Sequence, residues 1–456
     1  TMQTLRVVLF ISSLVVIYAG GKSSDSDSIL EALGLKPSDI LAEARDISSW
    51  MVDIRRTLHA KPELMYDLNE TAALVRATLD SLGVPYKYPV AKSGIVATIG
   101  TGSAPVFALR ADMDALPILE IPSLDTAEYV SKQPGKMHAC GHDAHTAMLL
   151  GAARILKARE SSLRGTVRLL FQPAEEGGAG GFRMLEEGVM DSVGGVFGLH
   201  VWPAFPTGHV GSRPGRLFAA AGFFEVQIRG KGGHAAIGIG HGVVDPVVAA
   251  AAVVTALQSI VARDLPPSSE AVVSVSTVHG GAAFNVIPDF VTLGGTLRAF
   301  SREEYGVLER RVREVVTHTA LAHGCTGEVR STSFDAECLA GDNVPSHFPS
   351  GCTYPPLVND DALWREARLA AESLVGEPAV IDQDPTMPTM GGEDFAYLAE
   401  RVPGVFALLG TGNHALNSTS GLHTPTFKLD EAAMPVGAAM HAVMALRGLL
   451  RLGAAA

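Results

Sequence analysis

Three short apolar runs constrain this chain more than anything else in it. They are "VFALRAD" ending at Asp112, "TVRLLFQPAEE" ending at Glu176 and "GVFGLHV" around His200. Each has the length of one strand, is rich in β-branched or aromatic residues, and delivers its polar groups at its C-terminal end. Helix-length stretches lie between and before them. "ISSWMVDIRRTLHAKPE" reads as a helix ended by Pro62, and "NETAALVRATLDSLG" as one with Asn69 as N-cap and Gly83 as its stop. Strands alternating with helices predict an α/β fold, and in open α/β sheets ligands bind at the carboxyl edge of the strands. The three polar ends are therefore expected to share one site.

The chain has 456 residues, of which 47% are hydrophobic and 18% charged. That length exceeds what one core normally supports, so two domains are expected. From residue 221 to 335 the pattern becomes strand "FFEVQIRG", helix "DPVVAAAAVVTALQSIVAR", strands "AVVSVSTVHGG" and "DFVTLGGTLRAF", helix "REEYGVLERRVREVVTHTALAHG" and strand "GEVRSTSF". The order βαββαβ is that of a ferredoxin-like unit. The expected architecture is a mixed-sheet α/β catalytic domain, in two parts at 40–220 and 336–450, with this satellite domain inserted between them.

Residues 1–22 contain Arg6, an apolar run from Val7 to Ala19 and small residues beyond it, followed by polar "KSSDSDS". The run is short for a membrane span, so it reads as a signal peptide rather than an anchor. Entry into the secretory pathway follows as an expectation, with the ER lumen or secretion as destination and no stable membrane anchor. Net charge is -12 without a basic block, which argues against a nucleic-acid partner. The polar loop at 335–356 holds Cys338 and Cys352, candidates to pair in an oxidising lumen, with Cys325 as a third candidate.

The stretch "MHACGHDAHTAMLLGAA" sets Cys140 and His142 two apart in a glycine-containing turn before an apolar helix. On extended backbone such residues point the same way, and thiolate and imidazole are ordinary ligands of divalent transition metals. Alone the pair is weak, because buried cysteine is common. "FQPAEEGGAGG" adds Glu175 and Glu176 at a strand end. Adjacent side chains diverge on extended backbone, so one can hold metal while the other acts as general base. A solvated Glu pair, a satisfied core His200 and a loop His423 are the bland alternatives, and singly each would stand. Together Cys140, His142, Glu176, His200 and His423 suffice for two metal centres with one shared ligand.

The motifs "RADMDALP", "MHACGHDAHTAMLLGAA", "FQPAEEGG", "GLHVWP", "GKGGHAA", "FNVIPD", "GGTLRAF", "MGGEDFA" and "HTPTFKLDEAAMPVGAAMHA" occur in this order. As a set they resemble the M20 metallopeptidase family in its amidohydrolase branch, and within it the plant-type hydrolases of indole-3-acetyl amino acids. The resemblance spans roughly residues 46 to 447. It implies a two-domain subunit with two divalent ions, manganese first and zinc or cobalt as other choices, hydrolysing N-acyl amino acids. Carried over by position, it makes Cys140, His142, Glu176, His200 and His423 ligands and Glu175 the general base. His234 of "GGHAA" resembles the family's substrate-polarising histidine, which can be donated across a homodimer formed through the satellite domain. Asn285 and Arg298 resemble substrate-binding groups, and a planar guanidinium fork suits an amino-acid carboxylate. Asp112 and Asp114 fall where carboxylates orient the ligands rather than bind metal.

The resulting expectation is a metallo-amidohydrolase acting on a small N-acyl amino acid, indole-3-acetyl conjugates foremost, releasing free auxin and amino acid. Three rivals stand beside it: an amidohydrolase of other acyl preference, of the aminoacylase or hippurate hydrolase kind; a Cys–His hydrolase with Cys140 as nucleophile; and a conjugate-binding protein without activity.

Overall fold

The computed structural model describes residues 35–124, 126–334, 351–384 and 387–455. The N-terminal apolar run, Cys338 and most of the 335–356 loop lie outside them. Eight strands form one mixed sheet, in spatial order Tyr86–Val90, Gly94–Gly100, Thr166–Gln172, Val106–Asp112, Val193–Pro206, Gly404–Gly412, Val210–Gly211 and Val380–Ile381. The four central strands, from Thr166–Gln172 to Gly404–Gly412, are mutually parallel. Their apolar runs are nearly continuous because helices cover both faces. Leu169 and Phe171 enter the core beneath the helices Ser48–His59, Asn69–Leu82, His142–Lys157, Asp361–Val375 and Met434–Ala455. Leu170 between them enters the opposite core, with Met184, Phe395 and Leu398.

From Val106–Asp112 the chain crosses through the helix His142–Lys157 to the strand on one side. It then returns past it, through the helix Gly180–Glu186, to the strand on the other. This reversal makes a crevice at the carboxyl ends of the strands, where Asp112 and the residues after Gln172 emerge. The C-terminal helix is apolar on every side because it is packed inside the larger core.

The second sheet has the order Ala271–His279, Phe290–Ala299, Ala220–Arg229 and Thr326–Ser331, antiparallel throughout, as a ferredoxin-like unit requires. Helix Arg302–Ala322 buries Leu308, Val312, Val316 and Ala320 at helical spacing against that sheet. The stretch read as one helix over 245–263 is instead two, Pro246–Leu257 and Ser259–Arg263, meeting at Gln258. A further two-stranded ribbon, Gly233–His234 with Val286–Ile287, projects from this domain.

Two local expectations are corrected. Asn69 is the first helical residue, not the N-cap; its amide donates to Asp67, while the Glu63 carboxylate accepts the backbone N–H groups of Glu70 and Thr71. The strand through His200 does not end there. It runs on to Pro206 because it pairs with Gly404–Gly412 along that length. Gly83 closes its helix in the left-handed conformation, at φ 65°.

Candidate dinuclear metal centre

Cys140 and His142 are brought together by a turn rather than by extended backbone. Gly141 between them has φ 90°, and a Cβ there would stand 2.4 Å from Val201 Cγ2, so only glycine fits. His142 opens the buried helix that follows. Glu175 and Glu176 likewise do not lie on the strand: it stops at Gln172, and Ala174 and Gly177 take positive φ in the turn that carries the pair. Asp114 holds that turn, its two carboxylate oxygens accepting the N–H of Glu175 at 2.9 Å and of Glu176 at 3.1 Å.

The five expected ligands converge. Cys140 Sγ lies 3.3 Å from His200 Nε2 and 3.3 Å from His423 Nε2, and His423 Nε2 lies 3.2 Å from Glu176 Oε1. Ligand atoms of Cys140, His142 and His200 lie within 4.8 Å of one another, as do those of Cys140, Glu176 and His423. Cys140 belongs to both triads, which is what a shared ligand between two ions requires. His200 Nδ1 donates to the Val201 carbonyl at 2.7 Å, leaving Nε2 free to ligate. His423 N–H donates to the Ala139 carbonyl at 2.8 Å, which ties its loop to the Cys140 turn.

Whether cations fit can be judged from what the protein leaves unsatisfied. Both ring nitrogens of His142 are buried without a hydrogen-bond partner, a costly state for polar atoms that ligation would relieve. Asp112, Asp114, Glu175, Glu393 and Asp394 are all buried in the same region, and Arg110 is the guanidinium that bonds among them. The surplus is negative. Burial pushes the Cys140 thiol up, with Glu176 and Glu175 adding to it. Burial acts to lower His142, yet Asp112, Asp114 and Glu176 hold it raised to about 10. A site that draws protons this strongly suits divalent cations.

Asp112 and Asp114 lie beside His142 and are tied to other protein groups. Asp112 accepts from Arg110 at 2.8 Å and pairs with His145 Nδ1 at 2.6 Å, and it stays 3.6 Å from His142 Nε2. Asp114 lies 3.5 Å from His142 Nδ1. Glu175 is buried beside Glu393, and burial, Glu393 and Glu176 raise its proton affinity.

A cleft of about 660 Å³ joins this cluster to the satellite domain. Cys140, Glu175, Glu176, His200 and His423 line it on one side and Phe223, Thr296 and Arg298 on the other. Arg298 is half-buried, donates to Thr296 Oγ1 at 3.1 Å and has no carboxylate partner among the described residues. His234 and Asn285 do not line this cleft. They sit together on the exposed ribbon, where the Ala235 N–H donates to the Asn285 carbonyl at 2.9 Å.

Several groups escaped the reading of the sequence. Arg110 bonds Asp394 at 2.8 Å and Glu393 at 3.0 Å, and Gln172 donates to Asp394 at 2.7 Å. Tyr354 Oη donates to the Glu175 carbonyl at 2.6 Å and accepts the Ala179 N–H, fixing the loop of the Glu pair. Arg55 and His59 both bind Asp143, the neighbour of His142. Glu393 and Asp394 had a visible signal in "GGEDFA", as Arg110 had in "RADMDALP" and Gln172 in "FQPAEEGG"; Tyr354, Arg55 and His59 lie outside the quoted motifs. Cys352 is disulfide-bonded and lines the cleft, Cys140 and Cys325 are free thiols, and the expected partner Cys338 is outside the described residues.

The family model for peptidase family M20/M25/M40 matches residues 108–447. The chain belongs to that family. Among curated relatives, it is 45% identical over 91% of its length to IAA-amino acid hydrolase ILR1-like 4 of Arabidopsis thaliana, covering 89% of that protein. It is 39% identical to an N-acetyl-L-cysteine deacetylase of Bacillus subtilis, over 89% of each chain. A crystal structure of a Bacillus subtilis dinuclear metal-binding peptidase of the M20 family matches 90% of this chain and 99% of its own, at 34% identity and a TM-score of 0.72. Another, of a protein from methicillin-resistant Staphylococcus aureus, matches the same shares at 31% identity and a TM-score of 0.77. In this chain two candidate metal triads meet at Cys140.

Proposed function

We propose that the protein hydrolyses the amide bond of N-acyl amino acids, with indole-3-acetyl amino acids as the preferred class and free auxin and amino acid as products. One observation carries this reading: a half-buried guanidinium without an anionic partner among the described residues, Arg298, shares a cleft with a carboxylate–thiolate–imidazole cluster fit for two cations. A molecule with a carboxylate and an amide nearby satisfies both ends. The relatives support it, since those from Arabidopsis thaliana bear the name IAA-amino acid hydrolase.

Cys140, His142, Glu176, His200 and His423 would hold two divalent ions, manganese by family resemblance, with zinc or cobalt as alternatives. Bound there, such ions supply Lewis-acid polarisation and lower the pKa of water. Arg298 clamps the carboxylate bidentately and so sets the amide against the cluster. Glu175 takes the proton of the attacking water and returns it to the nitrogen of the leaving amine. Trp202, Phe218, Phe223 and Leu422 give the cleft an apolar wall for the acyl group, larger than an acetyl group needs. His234 and Asn285 belong to this reading as groups offered to the cleft of a second copy, because they have no place in their own. Entry into the secretory pathway is part of the same reading and rests on the apolar run from Val7 to Ala19.

The test is a panel of indole-3-acetyl, benzoyl and acetyl amino acids offered to the purified chain with manganese, zinc or cobalt. We expect the highest kcat/KM for indole-3-acetyl conjugates. Cleavage of acetyl or benzoyl conjugates alone would keep the chemistry and remove the acyl preference. Binding without cleavage of any would leave a conjugate-binding protein.

A further inference from the structure

We propose that Asn417 is an N-glycosylation site, with a lipid-pyrophosphate-linked oligosaccharide as the glycosyl donor. Two acceptor triplets of the form N-x-S/T occur, Asn69-Glu70-Thr71 and Asn417-Ser418-Thr419. The folded chain treats them differently. At the first, the Asn69 amide is already committed to Asp67 Oδ1 at 2.9 Å, and Thr71 is buried in the opening turn of a helix. At the second, Asn417 and Thr419 are both exposed, in a loop just after the short 3₁₀ turn His414–Leu416.

The loop does not need the Asn417 side chain. Asn413 Oδ1 accepts the Ala415 N–H at 3.0 Å, and Asn413 Nδ2 donates to Asp430 at 2.8 Å. Ser418 Oγ accepts the Asn413 N–H at 3.0 Å and donates to the Thr411 carbonyl at 3.0 Å. The turn is thus closed by residues 413 and 418, and the Asn417 amide makes no hydrogen bond among the described residues. Its φ of 51° is left-handed, a conformation asparagine tolerates, so the turn by itself accounts for an asparagine here. It does not account for an exposed threonine two residues on. That hydroxyl completes the acceptor, and the loop presents both groups outward at a site open to a bulky, solubilising modification.

The inference rests on the secretory reading above and is independent of the catalytic one. In the reaction, Asn417 Nδ2 forms a bond to the anomeric carbon of the donor sugar while the bond from that carbon to the pyrophosphate oxygen breaks. Lipid pyrophosphate leaves, and the nitrogen gives up one proton. No oxidant or reductant is involved.

The experiment is expression of the full chain in plant cells. The purified protein is then treated with a peptide N-glycanase in heavy-oxygen water, and the peptide carrying Asn417 is examined by mass spectrometry together with the N-terminus of the protein. The expected result is complete conversion of Asn417 to labelled Asp and a step in gel mobility on deglycosylation. That step is lost in both Asn417→Gln and Thr419→Ala and retained in Thr419→Ser. Thr419→Ala keeps the asparagine in its left-handed turn, so it separates loss of the glycan from a folding defect. A chain with a processed N-terminus and unmodified Asn417 overturns the proposal. An unprocessed, unmodified chain overturns it together with the secretory reading, and hydrolysis of N-acyl amino acids by either chain would leave the proposed activity standing.

Discussion

The metal cluster and the His234 ribbon carry candidate groups for one reaction and are built in opposite ways. Cys140, His142 and His200 are buried, fixed by a glycine turn, a helix start and a strand pair, and supported by Asp112, Asp114 and His145. His234 and Asn285 lie on a two-stranded ribbon whose neighbours Ile237, Phe284 and Val286 are large, apolar and exposed. The first arrangement is complete within one chain except for its cations. The second is apolar surface left open among the described residues, of the kind that an interface with a second copy would bury. The difference separates what a single fold pre-organises from what assembly would have to add.

Removing the shared ligand should break the comparison most severely. Cys140→Ala takes a donor from both triads, so metal content should fall for both ions. Activity should fall by more than the roughly 10–100-fold that outer supporting residues cost. His423→Ala, by contrast, touches one triad and should spare one ion, as metal analysis of the two proteins would show.

The ribbon is tested by mixing. Glu175→Gln and His234→Ala should each be inactive alone, and their mixture after subunit exchange should regain activity, because one cleft then has both groups. No recovery in a mixture shown to contain mixed dimers would place His234 outside the reaction.

Arg298→Gln should raise KM by about 10–100-fold, as expected for losing a charge-assisted bidentate contact of about 1.5–3 kcal/mol, with kcat little changed. The loss should disappear with substrates whose carboxylate is amidated. An equal loss on both would mean that Arg298 organises the cleft rather than reading the carboxylate.

The last effect lies away from both regions and touches stability at low pH rather than activity. His441 is buried in the C-terminal helix with neither ring nitrogen bonded, and burial pushes it down to about 3. The unfolded chain therefore binds a proton that the folded chain refuses. This costs stability as pH falls below about 6.5, by about 1.4 kcal/mol per pH unit until the folded value is reached. His441→Leu should flatten the dependence of the melting temperature on pH across that window relative to the unchanged protein.

How much of this was legible in the sequence follows from how local each cause is. Strand ends at Asp112 and before Glu175 are written in short, nearly continuous apolar runs, and the satellite domain in a succession of strand-length and helix-length elements. The local geometry at the ligands was not. The turn at Gly141 depends on Val201 pressing on it, and the turn of the Glu pair depends on Asp114, so extended backbone was the wrong expectation at both. The Arg110–Asp394 contact joins residues 284 apart, and Tyr354 reaches Glu175 from the far side of the inserted domain. No periodicity encodes such pairs. His145 drew no reading from the sequence; only the fold sets its ring against Asp112, at 2.6 Å.

The most direct measurement is reconstitution. The purified chain is stripped of metal, then titrated with manganese, zinc or cobalt while bound metal and hydrolysis of an N-acyl amino acid are followed together, beside Glu175→Gln. Two ions per chain, activity that rises with them, and a Glu175→Gln protein that binds both ions yet is slower by about 10²–10⁴-fold are the predicted result. Full activity in the stripped chain, abolished by alkylating Cys140, would contradict it and make the thiol the nucleophile.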